Sequence, residues 1–299
     1  MRCICIGICQ LDAIYKILKT NSIFTSIYNE IFNYTVFSIS EKEMEKILND
    51  IIPTCDLVLS QPVSSNYRSN DIFSTAKLRS KIKSGAKHFV IANCYFTGYD
   101  PIPFQITNEK DHIIHSNGIS YFPSICFESI MNKDVIKSCI NWCDIDIYND
   151  NELLNNYNTT IEELKAREQK IFDNNFGVDI KISDYIENNY KTLYLFHTYN
   201  HPTNILLFEL VRRILNKLGL PEIGIGNDIF NELLGDNSIP PCPSVYIKTD
   251  MKFKYPEFVI NSKKLTTKYA MMTYIEALSD KSLYNKWMAG IKYGRKKIQ

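Results

Sequence analysis

The chain has 299 residues, with 34 basic and 33 acidic side chains, a formal charge of +1, and 45% apolar residues that include nine cysteines. This is an ordinary globular composition with ample length to bury a core without cross-links. The near-zero charge argues against a protein that tracks nucleic-acid phosphates, and the basic residues Lys292, Arg295, Lys296 and Lys297 read as a solvated tail.

No stretch reaches the roughly 18 uninterrupted apolar residues of a membrane helix. Gln10 and Asp12 interrupt the apolar start, and no small-residue cleavage site follows, so a signal peptide is not expected. An odd cysteine count without paired C-x-x-C motifs fits reduced thiols in a cytoplasmic protein, with no metal site.

Residues 2–8 (RCICIGI) predict a strand, and Leu11, Ile14, Tyr15 and Leu18 give residues 9–20 helical spacing. A second strand is expected at Tyr34 to Ile39, then a capping box at Ser40 and Glu43 opening a helix that runs to about Ile52, before Pro53. Asp56 to Gln61 predicts a third strand stopped by Pro62. A helix over Ser74 to Ser84 leads through Gly85 to a fourth strand, His88 to Asn93. This alternation implies parallel strands joined by crossover helices in an α/β fold. Cys3 and Cys5 face one side of a buried strand as small hydrophobes.

Residues 94–123, with Gly98, Pro101, Pro103, Gly118 and Pro123, read as a long loop of the kind that usually carries function. Residues 124–190 read as helical; Cys139 and Cys143 lie on a buried helix face, and Thr159 with Glu162 forms a capping-box pattern. A strand at 192–197 enters His197-Thr-Tyr-Asn-His201-Pro-Thr-Asn204, and an amphipathic helix follows to about Leu218, closed by Gly219. Pro240, Pro241 and Pro243 mark a turn before a strand at Val245 to Lys248 and a helix at Thr266 to Leu278. The whole reads as one α/β domain over 1–299, with a sheet core at about 1–123 and 190–250, a helical insertion at 124–190 and a helical tail at 262–299.

Gly7-Ile8-Cys9-Gln10 is the most informative motif, because a strand turns there abruptly into a helix whose first amides are unpaired. Those amides either lower the Cys9 pKa towards a thiolate or form an oxyanion hole; the plain alternative is a buried cysteine beside a tight turn. A base would have to come from five histidines. His88 reads as structural, and His112 and His115 fall in the loop. His197 and His201 bracket the strongest helix start, with Pro202 at the first helical position, and an imidazole there is biased towards the neutral form a base needs. Alternatively Asn200 and His201 only shape the turn. Gln61 and Asn93 sit where strands end, at the edge where ligands of open α/β sheets gather, and either donate to a carbonyl or orient a hydroxyl, or merely end strands. Gly224-Ile-Gly226 lacks a third glycine, and no phosphate-loop pattern exists.

Four segments in order, Gly7-Ile-Cys-Gln10, Asp56-Leu-Val-Leu-Ser-Gln-Pro62 with Tyr67-Arg68, Ile91-Ala-Asn-Cys-Tyr-Phe-Thr-Gly-Tyr-Asp-Pro101 and Phe196-His-Thr-Tyr-Asn-His-Pro-Thr-Asn204, resemble the WcbI-type polysaccharide biosynthesis family. Ile8 stands where that family usually has Asn, and Ala92 where it often has Pro. The resemblance implies a coenzyme A-binding acetyltransferase acting on capsular sugars, with a core similar to the SGNH/GDSL hydrolases, a doubly wound, mostly parallel sheet in a three-layer sandwich with additional helices. It implies that Cys9, Gln10, Gln61 and Asn93 line the acyl centre and that His201 is the base. Gly7, Arg68, Lys77, Arg79, His197 and Asn200 are the expected contacts of coenzyme A or acetyl-CoA, and a sugar or polysaccharide precursor is the expected partner. The alternatives are a carbohydrate esterase with Cys9 as nucleophile, or a non-catalytic sugar- or nucleotide-binding module.

Overall fold

The computed structural model describes residues 1–65, 67–101, 104–105, 119, 121–170, 177–222, 229 and 231–278. Pro103, His112, His115, Gly118, Gly224, Gly226 and the basic residues Lys292, Arg295, Lys296 and Lys297 lie outside them. In chain order the elements are β1 (Arg2–Gly7), α1 (Cys9–Leu18), α2 (Ser22–Ile27), β2 (Glu30–Thr35), α3 (Glu41–Lys46), β3 (Leu57–Ser60), α4 (Thr75–Arg79), β4 (Lys87–Val90), β5 (Phe104–Gln105) and β6 (Tyr121–Phe122). There follow α5 (Phe127–Met131), α6 (Val135–Cys143), α7 (Asp150–Gln169), α8 (Ser183–Asn189), β7 (Phe196–Thr198), β8 (His201–Pro202) and α9 (Asn204–Leu218). The last are α10 (Pro243–Lys248), β9 (Phe258–Ile260), β10 (Lys263–Leu265) and α11 (Thr267–Leu278).

The chain divides into two compact units, one of Met1–Tyr95, Ile161–Asn188 and Pro202–Leu234, the other of Phe96–Thr160, Asn189–His201 and Gly235–Gln299. The first holds a parallel four-stranded sheet in the order β2-β1-β3-β4, which a bridge from Ile91 to Ile180 extends by one position. Side chains of a strand alternate between faces. On one face Ile4, Ile6 and Val58 pack with Met44, Ile47, Leu48, Ile52, Ile72, Phe73 and Leu78. On the other, β1 carries Cys3 and Cys5, both fully buried as expected, and α1 packs against β1, β2 and α9. The result is a mostly parallel α/β fold, as the strand–helix alternation predicts, with helices on both faces of the sheet.

Several boundaries differ from the sequence reading. β2 spans Glu30–Thr35, not Tyr34 to Ile39, because it pairs with β1 from Arg2↔Glu30 to Gly7↔Thr35 and ends where β1 ends. The apolar Val36 and Ile39 leave the sheet and join the buried cluster. The Ser40–Glu43 capping box is present, but its helix continues past Lys46 as a π-turn over Ile47–Ile51 and a 3-10 turn over Ile52–Thr54. The start of α7 is set by Asn149 and Glu152, each accepting the other's backbone N–H (3.0 and 2.8 Å), and Thr159 and Glu162 lie inside the helix. Val245 to Lys248 is not a strand: Pro243 takes a first-turn position of α10 and buries Ser244 and Val245, a pull that outweighs the β-branched residues. Gly219 closes α9 in the left-handed conformation (φ 73°), as expected, with Leu220 N donating to Leu215 O at 2.9 Å.

In the second unit α5, α6 and α11 pack together, and the β9–β10 hairpin lies against α11. Cys139 and Cys143 are not on a buried face, since Cys143 is exposed and Cys139 half-buried. Tyr99 anchors a ring cluster with Phe96, Tyr194 and Phe253, its hydroxyl bonded to the carbonyls of Tyr190 (2.8 Å) and Leu193 (2.9 Å). Among the described residues no helix is long and apolar enough to cross a membrane.

Asn21 ties the start of α2 to the chain after α9. Its side chain accepts from Phe24 N (2.8 Å) and donates to Pro221 O (2.9 Å), and it is wholly buried. Asn21→Ala removes a helix cap and strips a carbonyl of its partner, and should lower stability by about 2 kcal/mol in urea denaturation; a change within about 0.5 kcal/mol would show that water replaces both bonds.

Candidate active site

In the order β2-β1-β3-β4 the chain leaves β1 in one direction for β2 and returns on the other side as β3, so the crevice of the sheet opens between the carboxyl ends of β1 and β3. Gly7 ends β1 and Gln61 follows β3 at this point. A Cβ on Gly7 would stand 2.8 Å from Gln61 Oε1 and 2.9 Å from Leu11 Cδ2, so only glycine lets the Gln61 amide lie across the turn. Gln61 Oε1 accepts from Ile8 N (3.0 Å), and Gln61 Nε2 donates to Gln10 Oε1 (3.2 Å). Gln10 in turn accepts from Cys94 N (2.9 Å) and donates to Cys94 O (2.8 Å). Both glutamines are buried, at 0% and 1% exposure. Gly7, Gln10 and Gln61 are therefore brought together as expected, but with a different part: these bonds use the polar groups that were to face a substrate, and they clasp β1, β3 and the segment after β4.

Cys9 is the first residue of α1 and half-buried. The N–H groups of Cys9 and Gln10 point at its sulfur and favour the thiolate, but burial acts more strongly and Asp12 adds to it, so the thiol pKa is raised, not lowered. Of the readings left open for Cys9, burial disfavours the thiolate and leaves a neutral thiol beside two first-turn amides.

Asn93 sits next to the clasp. Its Nδ2 donates to Pro62 O (3.2 Å), while its buried Oδ1 has no hydrogen-bond partner. An unpaired buried acceptor is costly and calls for a donor from a ligand. Asn93 is therefore placed to accept an N–H or O–H rather than to donate to an oxyanion.

Tyr95, near Cys9, and Arg167, against the Tyr95 ring, carry no local sequence signal. Tyr95 follows the clasped Cys94, and it lies near enough to Cys9 that a thiolate there would raise the pKa of its phenol, already raised by burial. The Arg167 guanidinium stands 5.1 Å from the Tyr95 ring centre. Only the fold brings them together, across 72 positions of sequence.

Of the expected coenzyme contacts, Arg68 has a left-handed backbone (φ 54°) and donates to Ile39 O (2.9 Å) and Phe37 O (2.7 Å), holding the loop after β2. Arg79 lies 3.2 Å from His88 Nδ1, and Ser60 Oγ lies 2.8 Å from His88 Nε2. Burial and the Arg79 charge push the His88 pKa down to about 4, so it stays a neutral, structural imidazole. Arg68 and Arg79 thus have structural partners where phosphate contacts were expected. Lys77 lies half-buried on α4, behind the Ser74 cap.

His197, Asn200 and His201 belong to the second unit. α9 starts at Asn204 with Thr203 as its cap, so Pro202 is not its first residue and His201 is not at its amino end. His201 is neutral for another reason: burial, reinforced by His197, lowers its pKa to about 4, against an opposing pull from Asp236. Its Nε2 faces Tyr121 OH at 3.3 Å and its Nδ1 is buried without a partner. His197 Nδ1 is 3.3 Å from Ser238 Oγ, and Asn200 Oδ1 accepts from Thr198 Oγ1 at 3.1 Å. Asp100, Tyr121, His197 and Tyr199 help line a cavity of about 20 Å³ in this unit, room for one water-sized group. Among the described residues no group of three His, Cys, Asp or Glu side chains is placed to hold a metal.

Two outcomes follow from this geometry. With Cys139 and Cys143 replaced by serine, alkylation of Cys9 by iodoacetamide should be slow at neutral pH and still rising past pH 9, the ordinary thiol value here; a rapid rate flat from pH 7 would contradict the neutral thiol. Gly7→Ala should cost about 1–3 kcal/mol in urea denaturation, since its Cβ would stand 2.8 Å from Gln61 Oε1 and 3.0 Å from Leu11 Cβ and something must shift; an unchanged midpoint would contradict the close contact.

A family model described as polysaccharide biosynthesis enzyme WcbI matches residues 2–223. No curated protein matches the chain. A solved structure of WcbI, described as a novel polysaccharide biosynthesis enzyme in its native form without a disulfide bond between coenzyme A and one of its cysteines, is similar at a TM-score of 0.81, with 24% identity over 99% of this chain and 96% of the other. At that identity the likeness establishes a shared fold, while the family match spans the turn at Cys9, the clasp and the start of α9. The chain belongs to the WcbI family of polysaccharide biosynthesis enzymes.

Proposed function

We propose that the protein transfers an acetyl group from acetyl-CoA to a hydroxyl of a sugar or polysaccharide precursor, in the cytoplasm, during capsular or surface polysaccharide synthesis. The family supplies the pathway class, and the description of the similar WcbI structure, which names coenzyme A, supports a coenzyme A ligand. The observation that carries the reading is the buried, unsatisfied Asn93 Oδ1, one residue before the Cys94 backbone that Gln10, the neighbour of Cys9, holds.

In the reaction the acceptor oxygen bonds to the acetyl carbon, its proton passes to a base, and the carbon–sulfur bond breaks as the departing thiolate is protonated. The N–H groups of Cys9 and Gln10 are the donors proposed for the developing oxyanion. Asn93 Oδ1 takes an N–H or O–H of the bound ligand. His201, in the second unit, has the chemistry asked of a base, being neutral at working pH with a protonated form that Asp236 favours. The raised Cys9 pKa weighs for direct transfer over the esterase reading, because a neutral thiol is a poor nucleophile.

Calorimetric titration should show binding of coenzyme A and acetyl-CoA, and absence of both would overturn the proposal. Cys9→Ser should retain part of the acetyl transfer to a sugar acceptor, whereas His201→Ala should lose nearly all of it; the reverse ranking would point to a thioester on Cys9. Because the His201 pKa is lowered to about 4, the imidazole stays unprotonated as pH falls through 6.5, and the acid limb of kcat/KM should lie near 4; a limb at 6 to 7 would contradict its assignment as base in this environment.

A further inference from the structure

The anionic part of a ligand at the Cys9 edge needs a cation, and a chain with a formal charge of +1 offers no general positive field to supply one. The arginines of the first unit differ in what occupies them. Arg2 opens β1, at the sheet edge opposite Cys9, and is held by Glu30 and Thr54. Arg68 is committed to two backbone carbonyls and Arg79 to His88. Arg212 and Arg213 both pair with the buried carboxylate of Glu209.

Arg167 is different. It is stacked on the Tyr95 ring, one residue beyond the Cys94 backbone that Gln10 clasps, and Gln10 is the neighbour of Cys9. Its ion partner is Glu163 at 2.7 Å, with the two side chains 43% and 58% exposed. Exposed pairs of this kind contribute little, so another oxyanion can take the place of Glu163 at small cost. The helix itself is fixed at the next residue: buried Glu168 accepts from Ile182 N (2.6 Å) and Ser183 N (2.9 Å). The guanidinium is thus held in place on the aromatic face while one side of it stays available to solvent.

We infer that Arg167, held on the Tyr95 ring beside Cys9, is the cation that receives an oxyanion of the bound ligand, a phosphate or a carboxylate, with Glu163 as the carboxylate it displaces. The inference deepens the acetyl-transfer reading, on which the identity of the ligand rests. A planar guanidinium meets either group with two parallel hydrogen bonds, which an ammonium cannot do. The oxyanion comes either from the coenzyme phosphates or from an acidic acceptor sugar.

Titrations of the full chain with coenzyme A, pantetheine, inorganic pyrophosphate, glucuronic acid and glucose distinguish the sources. Arg167→Gln should weaken coenzyme A at least tenfold and leave pantetheine unchanged if the phosphates are the source. It should weaken glucuronic acid and leave glucose unchanged if the acceptor is. Arg167→Lys should recover part of the loss. Glu163→Gln should tighten the same anion severalfold, a gain that a merely structural ion pair would not give and that stays measurable should Arg167→Gln fail to fold. Equal binding of every anion by wild type, Arg167→Gln and Glu163→Gln overturns the inference. If wild type binds neither coenzyme A nor a sugar, the acetyl-transfer reading fails, and Arg167-dependent binding of pyrophosphate still decides the anion site.

Discussion

One buried side-chain amide sets the arrangement of the candidate site. Gln10 bonds both the N–H and the C=O of Cys94 and receives the amide of Gln61, which in turn holds Ile8 N. These bonds join the turn after β1, the end of β3 and the segment after β4 at the point where the sheet order reverses. Each buried polar group in such a network depends on the others, because one left unpaired carries its full desolvation cost. Gly7 has to be glycine for the same reason, since a side chain there would stand in the place of the Gln61 amide.

Burial governs the chemistry more than helix dipoles do. At Cys9 two helix amides favour the thiolate and desolvation still wins; at His88 and His201 desolvation leaves neutral imidazoles. Desolvation disfavours charge whichever sign it has, so it raises a thiol and lowers a histidine. Cys9, His88 and His201 are consequently neutral, each for the same reason. The same neutrality has a cost in acid: unfolded histidines bind protons near pH 6.5 while His88 and His201 resist them down to about 4, so folding weakens as pH falls through that interval.

Much of the fold is legible in the sequence, because its elements rest on local patterns. The Ser40–Glu43 capping box, the Gly219 stop and the alternation of apolar runs with amphipathic spacing each act within one or two turns. The errors arise where tertiary pairing decides. The register of β2 is fixed by β1 and not by its own β-branched residues, and α10 forms over a β-branched run because Pro243 and burial favour a helix. At the site, position is legible and role is not. Gly7, Gln10, Gln61 and Asn93 do converge at the sheet edge, yet spacing alone does not reveal that Gln10 bonds to Cys94, 84 residues away, or that Arg68 holds Phe37 and Ile39. Tyr95 and Arg167 show the converse, two ordinary residues whose significance comes from the fold alone.

The proposed ligand site is the carboxyl edge held by the Gln10 clasp. Hydrogen–deuterium exchange with and without coenzyme A tests it most directly, because the amides at issue are backbone groups that substitution cannot remove. The account predicts slowed exchange over residues 8–12 and 93–96 on addition of coenzyme A, with the amino-end edge of the sheet, including Arg2 and Lys87, unchanged. Protection confined to other segments, with residues 8–12 exchanging as before, would contradict it.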